Sequence, residues 1–257
     1  MARTVLISGG ASGIGRWIAK SFLDTGDNVH VCDSSQAMID EFLGMYPGAG
    51  ATLADITNPA DVGRVFDDLI SRHSRLDILV NNAGISGPIA RVDDVDPDDW
   101  DHCIAVNLNG TFYMTRRAVP MLRNSENGSI VNIASTAGLF GVPLRSPYAA
   151  SKWAMVGLTK TWAMELGPDN IRVNAVCPGC VSGPRIEAVI EKDARERNVS
   201  ADTVRDVYLR QSSMRTFVSA DEIAEAVQFL TSESAGKVSG QTIAVDGHTE
   251  TLSNWLD

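Results

Sequence analysis

Thr4-Val5-Leu6-Ile7-Ser8-Gly9-Gly10-Ala11-Ser12-Gly13-Ile14-Gly15 is the stretch on which the reading of this chain turns. Thr4 to Ser8 is a short apolar run that stops at glycines, as a strand buried on both faces does. From Gly13 to about Thr25 the apolar residues Ile14, Trp17, Ile18, Phe22 and Leu23 recur at helical spacing, and Gly26 stops the helix. A strand, a tight glycine turn and a helix N-terminus in that order form an anion site, because backbone N–H groups and the helix dipole converge where a phosphate is held. Gly9, Gly13 and Gly15 give the spacing G-x-x-x-G-x-G, with Ser12 and Ile14 between them. Glycine turns also form for structural reasons alone, so the flanking chain has to supply the rest of a ligand site.

It does. The next strand, Val29-His30-Val31-Cys32, ends at Asp33, 18 residues past Gly15. An acid there is placed to accept hydrogen bonds from the ribose hydroxyls of NAD and repels the 2′-phosphate of NADP. Ser12, Ser34 and Ser35 carry no positive charge to offset that repulsion, so NAD is the expected cofactor. Ala51 to Ala54 reads as a third strand closed by Asp55-Ile56, and Asn58-Pro59 opens a helix with a cap and a first-turn proline. Asp77 to Asn81 is a fourth strand that runs into Asn82-Ala83-Gly84. Alternation of this kind predicts an α/β single-domain Rossmann fold over residues 1–257, a doubly wound parallel sheet of about seven strands with helices on both faces.

Farther along, Asp96-Pro97 caps a helix expected from about 97 to 123, and Ser129 to Ala134 is a fifth strand with Ser135 at its carboxyl end. Ligands of open α/β sheets bind outside those ends. A helix from about Pro147 to Gly167, a strand from Ile171 to Val176 leading to Pro178-Gly179, and a last strand from Gln241 to Val245 complete the alternation. Arg185 to Gln211 interrupts it with a charged amphipathic segment, the expected substrate lid at about 184–215.

Composition narrows the function. Thirty-two acids against 22 bases give a net charge of −10, which argues against a nucleic-acid surface and against an anionic membrane face. The N-terminal apolar run is too short for a signal peptide or a membrane span, which predicts a cytoplasmic protein. Cys177-Pro178-Gly179-Cys180 has C-x-x-C spacing without the helix N-terminal setting of a redox pair, and no His/Cys cluster has metal spacing.

Tyr148 and Lys152, four residues apart on a helix, share a face. A phenol beside a fixed positive charge is a proton-transfer device, since the charge favours the phenolate. With Ser8 to Gly15, Asp55-Ile56, Asn81 to Gly84, Asn107, Ser135, Tyr148-x-x-x-Lys152 and Pro178-Gly179 in this order, the chain resembles the short-chain dehydrogenase/reductase family over essentially its whole length. The resemblance implies that Tyr148 is the general acid/base, that Lys152 tunes it and binds the nicotinamide ribose, that Ser135 orients the substrate oxygen, and that Asn107 holds a proton-relaying water. It further implies that Asp55 and Ile56 hold adenine, that Asn82, Ala83 and Gly84 line the adenosine pocket, and that Val181 meets the carboxamide beside Pro178 and Gly179. Gly183 stands where the family commonly has a threonine hydroxyl.

The expected activity is NAD-dependent interconversion of a secondary alcohol and a ketone on a small polar substrate: a polyol, sugar, hydroxy acid or cyclic diol. An arginine in the pocket, Arg145 or Arg185, would suit a carboxylate, sulfonate or polyol, the commoner alternative being a solvated side chain. The alternatives are NADH-dependent ketone reduction and an inactive NAD(H)-sensing protein. The resemblance also implies a homo-oligomer, commonly a tetramer, joined by the helices around 97 to 123 and 147 to 167; the tail from His248 to Asp257 closes a neighbour's pocket or frays.

Overall fold

The computed structural model describes residues 2–253, the side chains of Arg185 and Glu196 excepted. In chain order its elements are β1 (Thr4–Ser8), α1 (Gly13–Asp24), β2 (Asn28–Asp33), α2 (Gln36–Met45), β3 (Gly50–Leu53), α3 (Pro59–Arg72), β4 (Ile78–Asn81), α4 (Pro97–Ile104), α5 (Thr111–Leu122), β5 (Ser129–Ile133), α6 (Ser146–Leu166), β6 (Arg172–Pro178), α7 (Pro184–Arg197), α8 (Ala201–Arg210), α9 (Ala220–Thr231) and β7 (Thr242–Val245). The seven strands pair in parallel in the order β3-β2-β1-β4-β5-β6-β7. The chain winds outward from β1 to β3, then returns to the other side of β1, which opens a crevice between the carboxyl ends of β1 and β4.

β1 is apolar throughout because both its faces are covered. Val5 and Ile7 join α1, α2 and α9 in one core with Ile18, Phe22, Phe42 and Val227; Leu6 joins α3, α5 and α6 in the other with Phe66, Leu69, Met114 and Trp162. Burying each such side chain contributes on the order of 2 kcal/mol. The predicted caps form: Asn58 accepts from Ala60 N–H at 2.9 Å and Asp96 from Asp98 N–H at 2.8 Å; at α9 Glu222 likewise reaches back to Ser219 N–H at 2.7 Å.

Three features depart from the sequence expectation. A helix, α2, occupies a stretch in which none was read, capped by Ser35. The helix expected over 97–123 is interrupted by a π-helical turn, Ala105–Gly110. That turn faces inward through Asn107 and seats Gly110 against Ile56, where a Cβ would come 2.5 Å from Ile56 Cδ1, so tertiary contacts stabilise the widened ladder. The segment expected as a lid folds as two helices, broken where Asn198 takes a left-handed conformation (φ 54°) and Ser200 caps α8.

The two-helix segment is pinned where it joins the rest of the chain. Val181 and Val218 form a parallel bridge, with Ser182 N–H on Val218 O at 2.8 Å and Val218 N–H on Cys180 O at 2.9 Å. Between those points α7 and α8 pack Ile186, Ile190, Ala194 and Val204 into a small apolar cluster of their own. Among the described residues, no helix is long and apolar enough to cross a membrane.

Candidate active site

The glycine turn is built from β1 and β4 together. Ser8 Oγ accepts from Asn82 N–H and Ala83 N–H, both at 3.1 Å, and Asn82 Nδ2 donates to Ser8 O at 3.1 Å and Gly9 O at 2.9 Å. Gly9, at φ +60°, brings the turn so close to β4 that a Cβ would lie 2.9 Å from Ala83 Cα. Ser12, extended at the N-cap of α1, makes no side-chain cap, so the first N–H groups of that helix are open to the cavity beside it. Gly13 leaves open space where a side chain would stand. Gly15 does not line the cavity: it is buried beneath the turn, and a Cβ there would collide with Gly9 O and lie 2.5 Å from Asn82 Nδ2.

That cavity measures about 980 Å³ and runs along the carboxyl ends of the strands. Gly9, Ser12, Gly13, Ile14, Asp33, Asp55, Ile56, Asn82, Ala83 and Gly84 line it on the side of β1 to β4. Asp33, the last residue of β2, accepts from Ser35 N–H at 3.2 Å. Asp55 is tied into its own turn, accepting from the Thr57 N–H at 2.9 Å and hydroxyl at 2.8 Å. Ser135, Tyr148, Lys152, Pro178, Gly179 and Val181 line the other side.

At that end Lys152 is 4% exposed and donates from Nζ to Ile133 O at 2.9 Å. Its Nζ lies 5.7 Å from the centroid of the Tyr148 ring, and the Arg145 guanidinium lies 5.6 Å from the same centroid. Tyr148 is thus half-buried with two cations on its ring. Ser135 Oγ accepts from Ala137 N–H at 3.1 Å, which fixes the hydroxyl at the end of β5. Gly179 donates its N–H to Val245 O at 3.0 Å and abuts Asp246, where a Cβ would come 2.9 Å from Asp246 Cβ.

Asn107 is buried behind the cavity rather than lining it. Its Oδ1 accepts from Ile85 N–H at 2.8 Å, and its Nδ2 donates to Ile85 O and Ser151 Oγ, both at 3.0 Å. It braces the loop after Gly84 against α6, the helix of Tyr148 and Lys152. Its backbone oxygen accepts the Thr111 hydroxyl at 2.9 Å.

Several lining residues carried no sequence signal. Lys192 and Asp193 come from α7, Tyr208 and Gln211 from α8 and its C-cap, and Leu252 from the segment after β7. Asp193 is paired with Arg197 at 2.6 Å, and burial, with Asp193's charge second, pushes the Tyr208 phenol up to about 12. Arg145 lines the cavity; the Arg185 side chain and Trp255 lie outside the described residues. Burial pushes the Cys177 and Cys180 thiols up to about 11, the opposite of what a reactive C-x-x-C pair needs. Among the described residues no group of three metal-ligating side chains is found.

Residues 9–248 match the family model for enoyl-(acyl carrier protein) reductases. A 3-oxoacyl-[acyl-carrier-protein] reductase FabG of Thermotoga maritima is 36% identical over 249 residues, covering 95% of this chain and 96% of that protein. A D-beta-hydroxybutyrate dehydrogenase of Rhizobium meliloti is 33% identical over 256 residues, covering 96% and 98%. The crystal structure of NAD+-bound xylitol dehydrogenase superposes with a TM-score of 0.89 at 27% identity, over 95% of this chain and 98% of that one. Solved neighbours carry NAD+, NADH or NADP.

Proposed function

Because the chain belongs to the short-chain dehydrogenase/reductase family, an oxidoreductase family acting on CH–OH groups, we propose that it is an NAD-dependent dehydrogenase of a small polar secondary alcohol. The observation that carries the reading is the cluster beyond the end of β5: Tyr148 with the Lys152 and Arg145 cations each within about 6 Å of its ring centroid, on the cavity that Ser135 also lines.

The residues present fit the cofactor. An uncapped helix N-terminus over a glycine turn suits a pyrophosphate, and Asp33 at the cavity edge suits unsubstituted ribose hydroxyls, which favours NAD over NADP. Gly9, Ser12, Gly13 and Ile14 would hold the phosphates; Asp55, Ile56, Asn82, Ala83 and Gly84 the adenosine; and Lys152, Pro178, Gly179 and Val181 the nicotinamide end. NAD, when bound, supplies the hydride acceptor.

The chain's own residues do the rest. Ser135 Oγ orients the substrate oxygen, Tyr148 Oη takes the hydroxyl proton in oxidation and returns it in reduction, and the Lys152 ammonium stabilises the negative charge left on the phenol. Asn107 fixes α6 against the Ile85 loop and so holds that geometry. Arg145 and Lys192, both lining the cavity, favour a hydroxy acid over a polyol, sugar or cyclic diol.

The protein is further read as a homo-oligomer, because Trp100, Phe112, Trp153 and Met164 are exposed on the helices expected to meet their copies. Sedimentation equilibrium of Trp153→Glu, dissociated where the wild type is not, tests this. The activity is tested by screening NAD reduction over hydroxy acids, polyols, sugars and cyclic diols. Tyr148→Phe should lower kcat/KM by about 10²- to 10⁴-fold with NAD binding kept; full activity in the variant refutes the assignment.

A further inference from the structure

The segment after β7 takes no part in the sheet but is bonded residue by residue to the far end of the two-helix segment. Asp246 turns it, its carboxylate accepting from His248 N–H at 2.9 Å and Thr249 N–H at 3.1 Å. Ser213 N–H then donates to His248 O at 2.9 Å, Met214 N–H to Gly247 O at 3.1 Å and Glu250 N–H to Gln211 O at 2.8 Å. Ser213 Oγ lies 2.7 Å from His248 Nδ1 and donates to Glu250 Oε1 at 2.9 Å. Gln211, 5% exposed, closes the set by donating from Nε2 to Ser253 O at 3.0 Å.

Main-chain anchors at Glu250 and Ser253 leave Leu252 held between them, and Leu252 lines the cavity together with Gln211 itself. A segment tied down by main-chain hydrogen bonds on both sides of Leu252 is an ordered wall. An apolar side chain on such a wall discriminates by the bulk and hydrophobicity of whatever faces it, about fourfold per methylene.

We propose that His248–Ser253 forms a wall at the substrate end of this chain's own cavity, with Leu252 determining specificity for the non-reacting part of the substrate and Gln211 positioning it. The inference rests on the dehydrogenase reading given above. It assigns the described part of the tail, His248–Ser253, to its own subunit, and it implies a substrate with a short apolar substituent beyond the carbinol.

The test uses the full chain with NAD and straight-chain 3-hydroxy acids of increasing length. Leu252→Ala should shift the ratio of kcat/KM for longer over shorter substrates upward by about tenfold, through KM, with the KM for NAD unchanged and Leu252→Met restoring the original preference. An unchanged ratio overturns the proposal. Hydrogen exchange is read in parallel: Gln211→Ala should speed amide exchange across residues 248–253 at least about tenfold while exchange in β1 and β4 stays as it was. Unchanged exchange in 248–253 overturns the positioning role whether or not any acid is oxidised. If the wild type oxidises none of the acids but the exchange result holds, the hydroxy-acid reading fails and the wall stands.

Discussion

Replacing Gly9 by alanine tests whether the glycine turn is shaped by its contact with β4. Two costs follow from the structure. At φ +60° an alanine is in the left-handed region, which costs about 1–2 kcal/mol. Its Cβ would also stand 2.9 Å from Ala83 Cα and 3.2 Å from Ala83 Cβ, a backbone contact with nowhere to retreat, since Ala83 N–H is bonded to Ser8 Oγ at 3.1 Å. Overpacking of this kind costs about 1–3 kcal/mol. Gly13→Ala is the matched control: its φ of +52° incurs the same dihedral cost, but nothing lies within 4 Å of the new Cβ. For a domain of this size about 1 kcal/mol lowers Tm by ~2–4 °C, so Gly9→Ala should lose about 10 °C and Gly13→Ala about 4 °C. Thermal unfolding followed by tryptophan fluorescence reads the difference, and an NAD titration completes it. Gly13→Ala places a methyl on the cavity side and should weaken NAD by about tenfold, more than its Tm loss suggests. Equal Tm losses for the two variants would refute the account of the turn.

Two further outcomes are expected. Asp33→Ala removes the charge at the end of β2 and should raise kcat/KM for NADP relative to NAD by at least about tenfold in steady-state assays; an unchanged ratio means that Asp33 does not select the cofactor. His30 is buried in β2, 2.9 Å from Thr52 Oγ, and burial lowers it from 6.5 to about 4. The unfolded chain therefore binds a proton below pH ~6.5 that the folded chain refuses until about 4, so stability falls as pH drops through that window, by about 2 kcal/mol at pH 5. Calorimetry at pH 7 and 5 should show a smaller Tm loss in His30→Gln; equal losses would assign the acid sensitivity elsewhere.

Much of this was legible in the sequence because local rules and the global fold agree. β1, β2, β4 and β6 run out at Gly9, Asp33, Asn81-Asn82 and Gly179, and Asn58-Pro59 and Asp96-Pro97 cap the helices they announce. What stayed hidden depends on tertiary partners. Gly13 and Gly15 are alike as letters, yet one opens on the cavity and the other is packed under Gly9 and Asn82. The π-helical turn is written in the bonds of Asn107 to Ile85 and Ser151, far apart in the chain. α2 has mixed polarity and a short cap, a weak local signal. Leu252 is brought to the cavity by the Glu250 N–H bond to Gln211 O and the Gln211 Nε2 bond to Ser253 O, contacts about 40 residues apart in the chain, so no local pattern of letters marks it.

The bridge between Val181 and Val218 means that the whole excursion from Gly183 to Phe217 leaves and re-enters the scaffold through a single doorway. An insertion with both feet on neighbouring rungs imposes no spacing on the sheet, and its length alters closure entropy only logarithmically. Tyr148 and Lys152 stand on α6, outside the doorway. The arrangement is that of an exchangeable cassette: the chemistry can stay in place on the frame while the segment between the two valines is replaced, provided the graft carries its own apolar cluster, as Ile186, Ile190, Ala194 and Val204 do here, and still meets the wall from His248 to Ser253 that Gln211, Ser213 and Met214 hold.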